Sequence, residues 1–102
     1  MIYEFRTYKL KPGSLAEVEK RFGAGYEHRK NFSPLTAFWH TEIGPLNTVV
    51  HLWAYREANH RAEVRKASYA DPVWKETLGR IFPLMQTMES KLLIPTDFSP
   101  LK

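Results

Sequence analysis

Two histidines, His40 and His51, flank the turn Gly44-Pro45-Leu46-Asn47, one within Phe38-Trp39-His40-Thr41-Glu42 and the other within His51-Leu52-Trp53-Ala54-Tyr55. An imidazole titrates near neutrality and is a good metal ligand when neutral, so a facing pair can share a proton, hold an oxyanion or bind a metal. Two histidines leave a metal site incomplete, because a third ligand such as Glu42 or Glu89 would have to converge on them, and no metal is assigned. Glu4, Arg6, Glu42 and Glu89 offer a second chemistry, in which a carboxylate acts as general base beside a guanidinium that stabilises an enolate or carboxylate. Both sets also have plain structural readings: a packed pair in a sheet, and ion pairs across an interface that must neutralise its own charges.

The elements that would position these residues follow from periodicity and punctuation. Ile2 to Leu10 alternates and is rich in aromatic and β-branched residues, so it reads as a strand stopped by Lys11-Pro12-Gly13. Ser14 with Glu17 is a capping-box pattern, and Leu15, Val18, Phe22 and Tyr26 recur at helical spacing behind it, with Gly23 and Gly25 expected to shorten or bend the helix. Leu35 to Ile43 and Thr48 to Tyr55 read as a hairpin about the Gly-Pro-Leu-Asn turn. A symmetric turn places His40 opposite His51 and Phe38 opposite Trp53, the facing Cβ atoms about 4.5 to 5.5 Å apart. Asn59 is expected to cap a helix over His60 to Tyr69, and Asp71-Pro72 to start another carrying Val73, Trp74, Leu78, Ile81 and Phe82. Pro83 closes it, Met85 to Ile94 reads as the fourth strand, and Pro95 to Lys102 as a surface tail.

This order predicts an α+β fold, the ferredoxin-like βαββαβ arrangement, with an antiparallel four-stranded sheet and both helical regions on one face. The small set Ala37, Trp39, Thr48, Val50, Leu52 and Ala54 is expected under the helices with Trp74. The open face is expected to carry Phe38, His40, Glu42, His51, Trp53 and Tyr55, with Glu4, Arg6 and Tyr8 from the first strand and Thr87, Glu89 and Lys91 from the last. An apolar face left in water marks an interface. A homodimer with two such faces pressed together would enclose a cavity lined by Glu4, Tyr8, Phe38, Glu42, Trp53 and Glu89 as ligand-binding residues, with His40, His51 and Arg6 as catalytic candidates.

Composition sets the bounds. The 102 residues suit one domain, 1–102, and a chain this short is helped by a partner subunit. The hydrophobic share of 43% excludes disorder, and the absence of cysteine excludes disulfides, thiolate zinc sites and thiol chemistry. The net charge of +4 is mild. No apolar run is long enough for a membrane span and no export leader is visible, so a cytoplasmic protein is expected. The basic residues His60, Arg61, Arg65 and Lys66 read as a solvated helix face rather than a nucleic-acid site, since Glu63 interrupts them and no aromatic platform accompanies them. Phosphate loops, nucleophile elbows and dinucleotide fingerprints are absent. Either histidine could serve as an axial haem ligand, but little else in the sequence points to haem, and no cofactor is expected.

Several stretches resemble the NIPSNAP family throughout the chain. They are Ile2-Tyr3-Glu4-Phe5-Arg6-Thr7-Tyr8 with Lys11-Pro12-Gly13, the block from Phe38 through Asn47, His51-Leu52-Trp53-Ala54-Tyr55, Ala70-Asp71-Pro72-Val73-Trp74 and the tail Pro95-Thr96-Asp97-Phe98-Ser99-Pro100. The resemblance implies the dimeric α+β barrel fold, shared with small monooxygenases, haem-degrading proteins, chlorite dismutases and lactone isomerases, and no settled reaction. Eukaryotic members are linked to mitochondria, and a compact bacterial-type member is expected here. The expected activity is that of a homodimeric small-molecule-binding or interaction protein with a polar cavity between paired sheets. The alternative is a cofactor-poor oxygenase- or isomerase-like enzyme using His40 or His51 as acid or base, with Arg6 stabilising an anionic intermediate.

Overall fold

The computed structural model describes all residues from Met1 to Lys102. Its elements run β1 (Ile2–Leu10), α1 (Leu15–Arg29), β2 (Leu35–His40), β3 (Thr48–Tyr55), α2 (Ala58–Ala70), α3 (Pro72–Ile81), a single 3-10 turn (Phe82–Leu84) and β4 (Met85–Leu93). The four strands form one antiparallel sheet in the order β2-β3-β1-β4, the α+β ferredoxin-like arrangement.

Local chemistry explains most boundaries. Asp71 accepts from the backbone N–H groups of Val73 and Trp74 and is followed by Pro72, whose fixed φ suits a first turn, so α3 starts there as expected. The other two caps differ from expectation. Ser14 makes no capping bond because its hydroxyl turns back to donate to the Lys11 carbonyl, while Glu17 accepts from Arg21 instead. At α2 the cap is Glu57 rather than Asn59: its carboxylate accepts from the N–H groups of Asn59 and His60. Nor is α1 shortened by its glycines. Gly25 lies where a Cβ would come within 2.3 Å of Thr77 on α3, so the missing side chain is what lets the two helices close.

The larger correction concerns which face of the sheet is covered. Phe22 of α1, Val64 of α2, and Trp74 and Ile81 of α3 form one core with Trp53 and Tyr55 of β3. A second cluster joins Val18 of α1 to Tyr8, Leu10 and Val49. Glu4, Tyr8, His51, Trp53 and Tyr55 are therefore under the helices, and the small set Val50, Leu52 and Ala54 faces away, with Trp39 52% exposed. The aromatic rings remove far more apolar surface from water than valine and alanine would in the same places, and this decides the orientation. The hairpin register also differs: Phe38 pairs with His51 and His40 with Val49, so the two histidines are not direct neighbours. The cause is the connection, in which Thr41 still pairs with Thr48 and the chain from Glu42 to Asn47 turns through left-handed Gly44 (φ 126°) and Asn47 (φ 56°).

Candidate functional site

The site is built beneath the helices around one carboxylate. Glu4 points from β1 into the core and is wholly buried, and its Oε2 accepts from Arg6 Nη1 (2.8 Å), Arg61 Nη2 (2.6 Å) and Ser90 Oγ (2.6 Å). Arg65 Nη1 lies 3.6 Å from its other oxygen. Arg61 and Arg65 are one turn apart on α2, which brings both over the sheet rather than into solvent as the sequence suggested. Burial alone would raise the Glu4 pKa. The bonds from Arg61 and Ser90 and the charges of Arg6 and Arg65 prevail and hold it at about 2. The result is a fixed anion outnumbered by guanidinium groups.

His51 projects beside this cluster and is 1% exposed. The indole N–H of Trp53 donates to its Nδ1 at 2.7 Å, two residues along the same strand face. An indole nitrogen can only donate, so Nδ1 is the acceptor and the neutral ring carries its hydrogen on Nε2. That Nε2 is buried and has no partner. Burial, reinforced by Arg6 and Arg65 against the pull of Glu4, depresses the His51 pKa to about 3. Across the physiological range His51 is an uncharged hydrogen-bond donor held by aromatic neighbours: Phe38 stacked at 5.1 Å, Tyr8 edge-on at 4.8 Å and Phe22 at 5.3 Å.

A cavity of about 170 Å³ opens among these groups, walled by Arg6, Arg29, Arg65, Tyr8, His51 and Trp53 with apolar residues that include Phe22, Trp74, Leu78 and Met88. Three arginines line it and no carboxylate does. Arg29 is the extreme case. It is 3% exposed, donates to Ser33 Oγ (2.9 Å) and the Tyr55 hydroxyl (3.0 Å), lies 4.4 Å over the Trp53 ring and has no anionic partner. Burial lowers its pKa, with Tyr55 opposing. Arg6 donates through Nε to the Tyr8 hydroxyl at 2.7 Å.

Outside this chamber, between α1 and the edge strand β2, runs a larger and more open groove of about 570 Å³ lined by Glu19, Phe22, Gly23, Tyr26, Leu35, Phe38, Trp39 and His40. His40 belongs to this groove, its Nδ1 2.5 Å from Glu19 Oε1 near the surface.

The candidates named from sequence thus separate. Glu4, Arg6, Tyr8, His51 and Trp53 come together under the helices, and Phe38 stacks on His51 from the groove side. His40 lies apart with Glu19, Glu42 is exposed in the connection, and Glu89 pairs with Lys91 at the surface. Glu4, Arg6, Tyr8, Phe38, His51 and Trp53 turn their side chains to the helices and away from the open sheet face, whereas Glu89 lies on that open face. Arg29, Arg61 and Arg65 were not anticipated as site residues, nor was Tyr69, which lines the chamber and accepts a hydrogen bond from Arg65. The spacing of Arg61 and Arg65 is the one signal that could have found them, since two basic residues a turn apart need a common counter-charge if their face is covered.

The NIPSNAP family model matches residues 3–100. The Protein NipSnap homolog of Dictyostelium discoideum is 39% identical over 94 residues, covering 92% of this chain and 42% of that relative. This chain spans between 19% and 42% of the length of the curated relatives it matches over most of its own length. A crystal structure of a protein from Agrobacterium tumefaciens superposes with a TM-score of 0.95 at 39% identity, covering 100% of both chains. An antibiotic biosynthesis monooxygenase superposes with a TM-score of 0.72 at 14% identity over 94% of this chain and 99% of its own, a likeness of fold alone.

Proposed function

This chain belongs to the NIPSNAP family, and on that premise we propose that it binds a small organic anion in the chamber between helices and sheet. One observation carries the reading: three guanidinium groups and an unpartnered imidazole donor wall the chamber, and no carboxylate does. Arg6 and Arg65 share Glu4, but Arg29 is a buried positive charge without a counter-ion, which is costly, and a bound carboxylate, phenolate or enolate relieves it. The Nε2–H of His51 donates to the ligand oxygen, and Arg65, whose Nη2 donates to the Tyr69 hydroxyl and whose Nη1 lies 3.6 Å from Glu4 without a hydrogen bond, joins it through Nη1. His51 acts here as a donor rather than a general base, because it stays neutral. The volume resembles the ~150 Å³ that accommodates a benzene-sized guest.

The reading includes a second copy of the chain on the uncovered sheet face. That face has an apolar centre of Phe5, Val50 and Leu52 and both charge signs, Glu89 and Lys91, on one side, so a two-fold axis running across the strands midway between these two would set each sign against its opposite. No helix is long and apolar enough to cross a membrane. A cysteine-free chain suits the reducing cytoplasm, where the proposal places it, and the proposal calls for no cofactor.

Titration calorimetry with benzoate and its neutral isostere benzamide tests the chamber. Charge-assisted bonds favour benzoate by about tenfold or more, and Arg65→Leu reduces the preference. Equal binding of the two compounds removes the reading.

A further inference from the structure

The chamber and the groove share a wall. Phe22 lines both, and Phe38 lines the groove while stacking on His51 at 5.1 Å, with the two phenyl centroids 4.8 Å apart. The inner space is small and cationic; the outer is over three times larger and mostly aromatic. Gly23 borders the groove on α1. An interior helical glycine is destabilising, and Gly25 is explained by Thr77, but a Cβ at Gly23 would meet nothing within 4 Å. No contact within the chain accounts for this glycine, whereas an occupant pressed against the helix would.

Resting on the anion-binding reading above, we propose that the two spaces form one site for an amphiphilic acid. The carboxylate head lies among Arg6, Arg29, Arg65 and the His51 donor, and the apolar chain reaches the groove as the Phe22 and Phe38 rings, in contact at 4.8 Å without a guest, turn apart to admit it. The chamber alone is filled by about six carbons, as a benzene-sized guest fills ~150 Å³. Chains longer than this gain affinity only by entering the groove.

The experiment is calorimetry with hexanoate, octanoate and decanoate below their micellar concentrations, on wild type and Gly23→Leu, whose added side chain fills the groove from an open helix position. Burying a methylene is worth up to about fourfold, so decanoate is expected to bind at least about tenfold more tightly than hexanoate. In Gly23→Leu the gain disappears while hexanoate binds as in wild type. Bromine on the terminal carbon of decanoate is expected to quench Trp39 fluorescence, read as the difference between wild type and Trp39→Phe, which gives a second readout independent of the leucine variant. If hexanoate binds and decanoate binds no tighter, or if the gain survives Gly23→Leu, the amphiphile site is overturned and the anion chamber stands. If no acid of either kind binds, the chamber itself falls, and this inference with it.

Discussion

His51 and His40 lie on the same face of adjacent strands, yet they inhabit different chemical worlds. His51 is walled in by aromatic rings, its Nδ1 committed to Trp53 and its other nitrogen left without a partner. His40, one strand nearer the edge, reaches solvent and pairs with Glu19. The same contrast separates Glu4, ringed by guanidinium groups in the core, from Glu17 and Glu76, which make surface pairs along their own helices. Burial, more than residue type, makes a group chemically committed.

The sharpest way to break that contrast is Glu4→Ala. It strands Arg6 and Arg61 without their carboxylate in the interior and is expected to destabilise the fold by about 3–5 kcal/mol in urea denaturation. Glu17→Ala should stay below about 1 kcal/mol. A comparable effect from the two substitutions would mean that the Glu4 cluster is solvated.

Acid stability comes next. An unfolded histidine takes up a proton near pH 6.5, whereas His51 does so only near 3, so between these values the unfolded chain binds more protons and stability falls as pH drops. Glu4 adds a second loss only below about 4.5, as its folded pKa of about 2 is approached. Between pH 6.5 and 4.5 the slope attributable to His51 is about 1.4 kcal/mol per pH unit, and His51→Gln should remove it, as read from urea midpoints across pH. The two glycines of α1 give the next contrast. Gly25→Ala drives a methyl into Thr77 and is expected to lower stability by about 1–3 kcal/mol, while Gly23→Ala, meeting nothing, should raise it by about 0.5–1 kcal/mol. Smallest is His40→Ala, expected to change stability by less than about 1 kcal/mol.

The element order was legible because helical and strand periods differ sharply along this chain. The spacing of Val18, Phe22 and Tyr26 sets the inner stripe of α1, and Asp71-Pro72 marks the start of α3. The sheet's polarity was not legible. Alternation along Thr48 to Tyr55 separates two sets of side chains but does not say which is buried, and a small apolar set looked a better floor than one holding histidine and glutamate. The missing information was non-local: Glu4 becomes tolerable in the core only because Arg61 and Ser90, far along the chain, reach it. Register failed for a similar reason, since Gly44 and Asn47 both adopt left-handed backbone and lengthen what reads as a tight turn. Arg29 was hidden within the last turn of α1, where a basic residue is ordinary at a helix end.

Pairing β1 with β4 sets the timing of assembly. Ser90 is 86 residues from the carboxylate it donates to, and β1 lies between β3 and β4 as an inner strand. During synthesis β1 emerges well before β4, and its second edge stays unoccupied until the helices and strands between them have been made. Such separated contacts close slowly, and until they do the nascent chain offers a bare edge that carries an unneutralised acid.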